Sequence, residues 1–162
     1  MSASMGKGRY LLMVACSQRK TSSTRPCPAI ERYDGVNYRV LRNLKRQGLW
    51  PENLDIVIIS AKFGLLDASA PIENYDLRMT RDRALALQRD VSAGLDARLR
   101  QTDYVEVFVN VGATYRLALE QSGELRRLGG RARYASGGIG IKMGEMRRWI
   151  LHLVEDQTRR SE

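Results

Sequence analysis

Residues Tyr10 to Lys20, Tyr-Leu-Leu-Met-Val-Ala-Cys-Ser-Gln-Arg-Lys, pass abruptly from an unbroken apolar run to a polar tail. An apolar run without alternation predicts a strand buried on both faces, as in a parallel sheet covered by helices. Ligands of open α/β sheets bind outside the carboxyl ends of such strands. The tail carrying Cys16, Ser17 and Lys20 therefore falls where a site is expected. The pattern recurs in Asp55-Ile-Val-Ile-Ile-Ser60, which runs into Ala61-Lys62-Phe63-Gly64, and in Val105 to Val111, which runs into Gly112-Ala113-Thr114. A weaker fourth case, Arg131 to Ser136, runs into Gly137-Gly138-Ile139-Gly140-Ile141-Lys142. Successive polar or glycine-rich exits predict one shared sheet edge and one pocket on it.

The segments between these strands read as helices. Val36, Val40 and Leu44 recur at four-residue spacing beside Leu41, and Gly48 supplies a stop. Thr80 is placed to cap a helix with the apolar face Ala84, Leu87, Val91 and Leu95. Tyr115 to Gln121 predicts a short helix, and Met143, Met146, Ile150 and Leu153 mark a closing one. The expected fold is a single-domain three-layer α/β/α sandwich around a four-stranded, mostly parallel sheet. Residues 1–9 are expected to be a flexible N-terminus, 10–154 the domain, and 155–162 a frayed polar tail.

The formal charge is +9, from 27 Lys and Arg against 18 Asp and Glu. That excess fits a polyanionic partner, nucleic acid or a phosphorylated small molecule, or else serves solubility alone. Only five lysines are present, and Lys20, Lys62 and Lys142 all lie in the exits. No apolar run approaches the ~20 residues of a membrane span, so a cytoplasmic protein without membrane contact is expected. With a single histidine and two cysteines, a Cys/His zinc site is disfavoured, and neither metal nor cofactor is expected.

The exit residues allow two chemistries. A free lysine amine is a cation at neutral pH, and burial or a neighbouring cation such as Arg19 or Lys62 converts it into a nucleophile. Lys20 is then either a nucleophile or a phosphate contact. Ser17 either assists catalysis or caps a turn, and Cys16 is a ligand contact or a buried strand end. Asp76 is the carboxylate best placed for general base or ribose contact, with a helix cap or an ion pair with Arg78 as the alternative. Tyr75 would stack on a base or fill core. Ser60, Lys62 and Gly64 form a turn with Gly64 at positive φ. Asn110 and Gly112 would present amides to an anion, as would Gly137, Gly138 and Gly140 beside Lys142.

These motifs resemble a widespread bacterial family of undefined activity. Its pattern is Cys-Ser-x-x-Lys, Ala-x-x-x-Tyr-x-Gly, Ser-Ala-Lys-x-Gly-Leu-Leu, Tyr-Asp and Gly-Gly-Ile-Gly. The matching segments are Cys16–Lys20, Ala29–Gly35, Ser60–Leu66, Tyr75-Asp76 and Gly137–Gly140, within residues 12 to 151. The Cys-Ser-x-x-Lys element is also similar to that of the YaaA peroxide-stress family, which implies DNA binding. It is similar as well to archaeosine synthases, whose lysine attacks the nitrile of a 7-deazaguanine base. The resemblance thus implies an enzyme acting on a base or glycosidic bond through Lys20, with Ser17, Lys62 and Asp76. The alternatives are a non-catalytic nucleotide- or nucleic-acid-binding module and a stress or mobile-element accessory protein.

Overall fold

The computed structural model describes residues 8–162. Of the N-terminal segment expected to be flexible, all but Gly8 and Arg9 lie outside the described residues, and Arg9 already opens a strand. In chain order the elements are β1 (Arg9–Ala15), β2 (Cys27–Pro28), α1 (Ala29–Arg32), α2 (Val36–Arg46), β3 (Leu54–Ser60), β4 (Gly64–Asp67) and β5 (Pro71–Ile72). They continue with α3 (Arg81–Gln101), β6 (Tyr104–Asn110), α4 (Ala113–Arg116), α5 (Gly123–Arg127), β7 (Ala132–Tyr134) and α6 (Ile139–Ser161).

The main sheet has five strands rather than four, in the order β4-β3-β1-β6-β7. Four are the expected parallel strands, with β1 between β3 and β6. The fifth is β4, which turns back antiparallel on β3 and pairs Gly64 with Ser60. The chain after Ser60 is therefore a tight hairpin at the sheet's edge. Gly64, at φ +72°, supplies the left-handed residue that closes its three-residue loop. β2 and β5 form a separate two-stranded ribbon.

Side chains alternate across the sheet as its pleat requires. Leu12 and Val14 of β1 pack with Tyr38, Leu41, Met146, Trp149 and Ile150 beneath α2 and α6. Leu11 and Met13 pack with Ala84, Val91, Leu95 and Ala118 beneath α3 and the segment after α4. Thr80 caps α3 as expected, its Oγ1 accepting the Arg83 N–H at 3.1 Å. α2 ends at Gly48 in a Schellman motif, with Gly48 N–H donating to Lys45 O and Leu49 N–H to Leu44 O. Its buried face is Tyr38, Leu41 and Leu44, whereas Val36 is exposed. α6 runs through Ser161, beyond residue 154, and Gln157 donates to the Asn53 side chain. The segment expected to be a frayed tail is thus helical.

The connections reverse direction at β1. The chain leaves β1 through α2 on one face to reach β3, then crosses by α3 on the other face to β6 and on to β7. The carboxyl ends of β1 and β6 therefore flank a topological switch point, where the connecting segments part and leave a crevice.

Candidate functional site

A cleft of about 380 Å³ occupies that switch point. Its walls are the β1 exit (Cys16, Ser17), the start of α2 (Gly35, Asn37), the β6 exit (Asn110, Gly112), Tyr115 of α4, and Ile139 and Lys142 of α6. The volume lies in the range of small-ligand sites, about 300–1,000 Å³.

Its polar groups are few and mostly engaged. Ser17 Oγ donates to Arg19 O at 2.6 Å and accepts the Asp34 and Gly35 N–H groups, each at 3.2 Å. The hydroxyl is a clasp between two loops rather than an activated nucleophile. Gly35 is needed for it, because a Cβ there would lie 2.8 Å from Ser17 Cβ. Tyr38 OH donates to Ala15 O at 2.6 Å and closes the end of β1. Cys16 Sγ lies 3.3 Å from Tyr115 OH. Burial pushes the Tyr115 hydroxyl well above its ordinary range, so it stays protonated. Asn110 is buried and donates from Nδ2 to Met146 Sδ at 3.3 Å, a weak partner. Lys142 Nζ reaches Val111 O at 3.4 Å. The Oδ1 of Asn37 is buried without any hydrogen-bond partner.

Beside Cys16 lies a second group built on tyrosines. Ser60 is fully buried, and its Oγ accepts Tyr33 OH at 3.2 Å and the Lys62 and Phe63 N–H groups at 3.2 and 3.1 Å. Tyr75 OH lies 2.9 Å from Ser60 Oγ and 2.6 Å from Tyr33 OH. Burial raises the Tyr75 hydroxyl far above its usual value. Lys20, backbone-bridged to Tyr33, sets its Nζ 4.4 Å from the Tyr75 ring centre, and the exposed Lys62 sets its own 5.7 Å from the same ring. Burial lowers the Lys20 pKa, opposed by the charges of Cys16 and Asp76. Lys20 has no carboxylate ion pair among the described residues. Asp76 is exposed and makes no hydrogen bond or ion pair among them; it acts on Lys20 only through its charge.

The expected residues thus share one sheet edge but divide between two adjoining places. Cys16, Ser17, Asn110, Gly112 and Lys142 line the cleft. Lys20, Ser60, Lys62 and Tyr75 form the tyrosine group, with Gly64 closing the hairpin beneath it. Gly137, Gly138 and Gly140 lie at the start of α6 outside the cleft wall, where Gly138 is the residue before the helix. Asn37, in the first turn of α2, carries an unsatisfied atom in the cleft wall, yet its place beside the apolar Val36, Val40 and Leu44 spacing gave no reason to single it out. Tyr33 was legible only as part of a motif.

Arg32 is the third missed residue. It is fully buried, and its guanidinium donates to the carbonyls of Thr21, Ser23, Arg25 and Ile72. It shapes the loop that follows Lys20 from within.

The fold and cleft define an α/β protein built on one five-stranded, mostly parallel sheet with a cleft at its switch point. The chain belongs to the family described as "Family of unknown function (DUF6884)", whose pattern matches residues 11–150. It matches no curated protein. Among solved structures it is similar to "Crystal structure of AF0587, a protein of unknown function", with a TM-score of 0.50 and 15% identity. The match covers 88% of this chain and 44% of that one, so the likeness concerns the fold and less than half of the longer protein. No helix among the described residues is long and apolar enough to cross a membrane.

Proposed function

We propose that the switch-point cleft binds a nucleobase, carried by a nucleotide or a nucleic acid. The observation that carries this reading is the partnerless Asn37 Oδ1, buried in the wall of a largely apolar cleft that Asn110, whose amide has only a weak sulfur partner, also lines. Two asparagine amides in the wall of an apolar slot offer the donors and acceptors that a base edge needs, as asparagine does with adenine, once the Asn37 side chain turns toward the ligand. The +9 charge favours the phosphate that such a base brings with it. Calorimetric titration with nucleosides and mononucleotides tests the reading. Binding should weaken about 5- to 150-fold in Asn37→Ala, the range of about 1–3 kcal/mol for a paired base contact. Absence of nucleoside binding, or affinity indifferent to Asn37→Ala, would refute it.

A second reading makes the protein an enzyme on that base, with Lys20 as the nucleophile. Its support is a desolvated amine packed on Tyr75 beside Cys16 without an ion pair. The similarity of Cys16–Lys20 to archaeosine synthases makes nitrile-bearing 7-deazaguanines the first candidates. Arginine keeps the charge but does not lose its proton to form the imine or amidine bond that a lysine amine forms. Lys20→Arg should therefore bind base and form no adduct in mass spectra, and an active Lys20→Arg variant ends this reading.

A further inference from the structure

The cleft opens beside the first turn of α2, and that helix is charged with one sign only. Val36–Arg46 contains Arg39, Arg42, Lys45 and Arg46 and no carboxylate. The four side chains line a shallow groove of about 560 Å³, and Arg39, the first of them, follows the cleft residues Val36 and Asn37 within one turn of the helix. Asp34 is the carboxylate that meets this face, and it is shared among Arg19, Arg39 and Arg42. Arg42 is further fixed by the Ile30 and Tyr33 carbonyls at 3.2 and 2.9 Å. Lys45 lies on the Trp50 ring and Arg46 on the Asn43 side chain, both uncharged partners. Most of the positive charge on the groove is therefore not neutralised by the protein.

We propose that α2 carries the backbone of a single-stranded nucleic acid whose unpaired base occupies the cleft. The proposal rests on the base-binding reading above and names its ligand as a polynucleotide rather than a free nucleotide. Three observations support it together. The groove lies along the same helix whose first turn lines the cleft. Arg39, Arg42 and Arg46 follow one helix face over roughly 10 Å at ~1.5 Å per residue. That length spans about three phosphates at the ~3.4 Å axial spacing of one strand of a duplex, and fewer on an extended single strand. A base in a cleft of this depth must also be out of any duplex stack. Val36, 42% exposed at the start of α2, and Ile139, 70% exposed at the start of α6, give the neighbouring bases apolar surface at the mouth.

The test compares mixed-sequence single-stranded 12-mers of RNA and DNA with the corresponding 5′-mononucleotides and with a 12-bp duplex, across a salt series. The variant is Arg39→Glu/Arg46→Glu, which spares the structural Arg42, with Arg39→Gln/Arg46→Gln as a milder second form and thermal melting to confirm folding. The 12-mer should bind the parent at least tenfold more tightly than the mononucleotides. The charge-reversed variant should lose at least tenfold in 12-mer affinity and leave the affinity for the uncharged nucleoside within twofold. The neutral variant should flatten the log K against log salt slope by about 1.4, at ~0.7 per phosphate contact on a single strand. A 12-mer no tighter than a mononucleotide, a variant with unchanged affinity and slope, or equal binding of the duplex overturns the proposal. If Asn37→Ala leaves nucleoside affinity unchanged while the arginine variants still lose the 12-mer, the cleft reading fails and the strand path on α2 stands.

Discussion

The contact between Gly35 and Ser17 gives the sharpest check on how the cleft is built. Gly35 sits at φ −74° and ψ 174°, which alanine adopts without strain, so the backbone does not explain the glycine. Crowding does, because an added Cβ meets Ser17 Cβ at 2.8 Å. Gly35→Ala must then push the Ser17 loop away, with an overpacking cost of about 1–3 kcal/mol. Moving Ser17 also breaks its bonds from the Asp34 and Gly35 amides, worth about 0.5–1.5 kcal/mol each. The expected loss is about 2–4 kcal/mol, since partial relaxation avoids the sum of the extremes. Urea unfolding at a constant m-value measures it. In a Ser17→Gly background the opposing Cβ is gone, and Gly35→Ala should cost less than about 1 kcal/mol, leaving a coupling above about 1 kcal/mol. Equal costs in the two backgrounds would refute the steric account.

Three further outcomes follow from other parts of the molecule. Gly64→Ala should lose about 1–2 kcal/mol, the penalty for a side chain in the left-handed region that closes the hairpin; a loss below about 0.3 kcal/mol in urea melts would exclude a tight turn there. The Arg9 guanidinium and the Tyr104 hydroxyl hold the Asp55 carboxyl below its ordinary value. Its stabilisation is therefore present above the unfolded pKa of about 3.9 and fades as pH falls through the folded value. Asp55→Asn should cost about 1 kcal/mol at pH 7, a modest loss because the pair is partly exposed, and progressively less as pH falls through the folded value; a deficit that does not change with pH would contradict this. Because burial lowers the Lys20 pKa, its amine should acylate at lower pH than a lysine in a short unstructured peptide. Peptide mass spectrometry after brief acetic anhydride treatment at pH 7 to 10, with such a peptide as internal standard, reads the order, and co-titration of the two would remove the desolvation argument.

The sequence carried the parallel core because β1, β3 and β6 are buried on both faces, and such strands announce themselves as unbroken apolar runs. The edge strand β4 escaped notice because Gly64 reads first as a loop glycine and only two apolar residues follow before Asp67. Polar residues at strand exits marked the edge of the sheet on which the cleft lies. Their kind did not reveal their work: Ser17 and Ser60 look like ligand contacts, whereas in the fold their hydroxyls hold backbone amides. The division of the exits between a cleft and a tyrosine group depends on strand order, which no local pattern encodes. Asn37 was hidden for a related reason, since only the crevice between β1 and β6 distinguishes its carbonyl oxygen from any other polar atom on a helix. Arg32 was lost among the many arginines, because composition does not tell a buried guanidinium from an exposed one.

The way Arg32 grips its loop bears on how the protein can change. Its partners are main-chain carbonyls, which every residue type supplies equally. The path of the chain from Thr21 to Arg25 is therefore held largely by one side chain outside the loop, with Thr21 and Ser23 adding bonds of their own. The exposed side chains of Ser22, Thr24 and Arg25 take no part in that grip. At those three positions the segment can exchange its outward chemistry while keeping its shape. It lies directly after Lys20, so the protein has a place to alter what it meets at the rim of its site without redesigning the site itself.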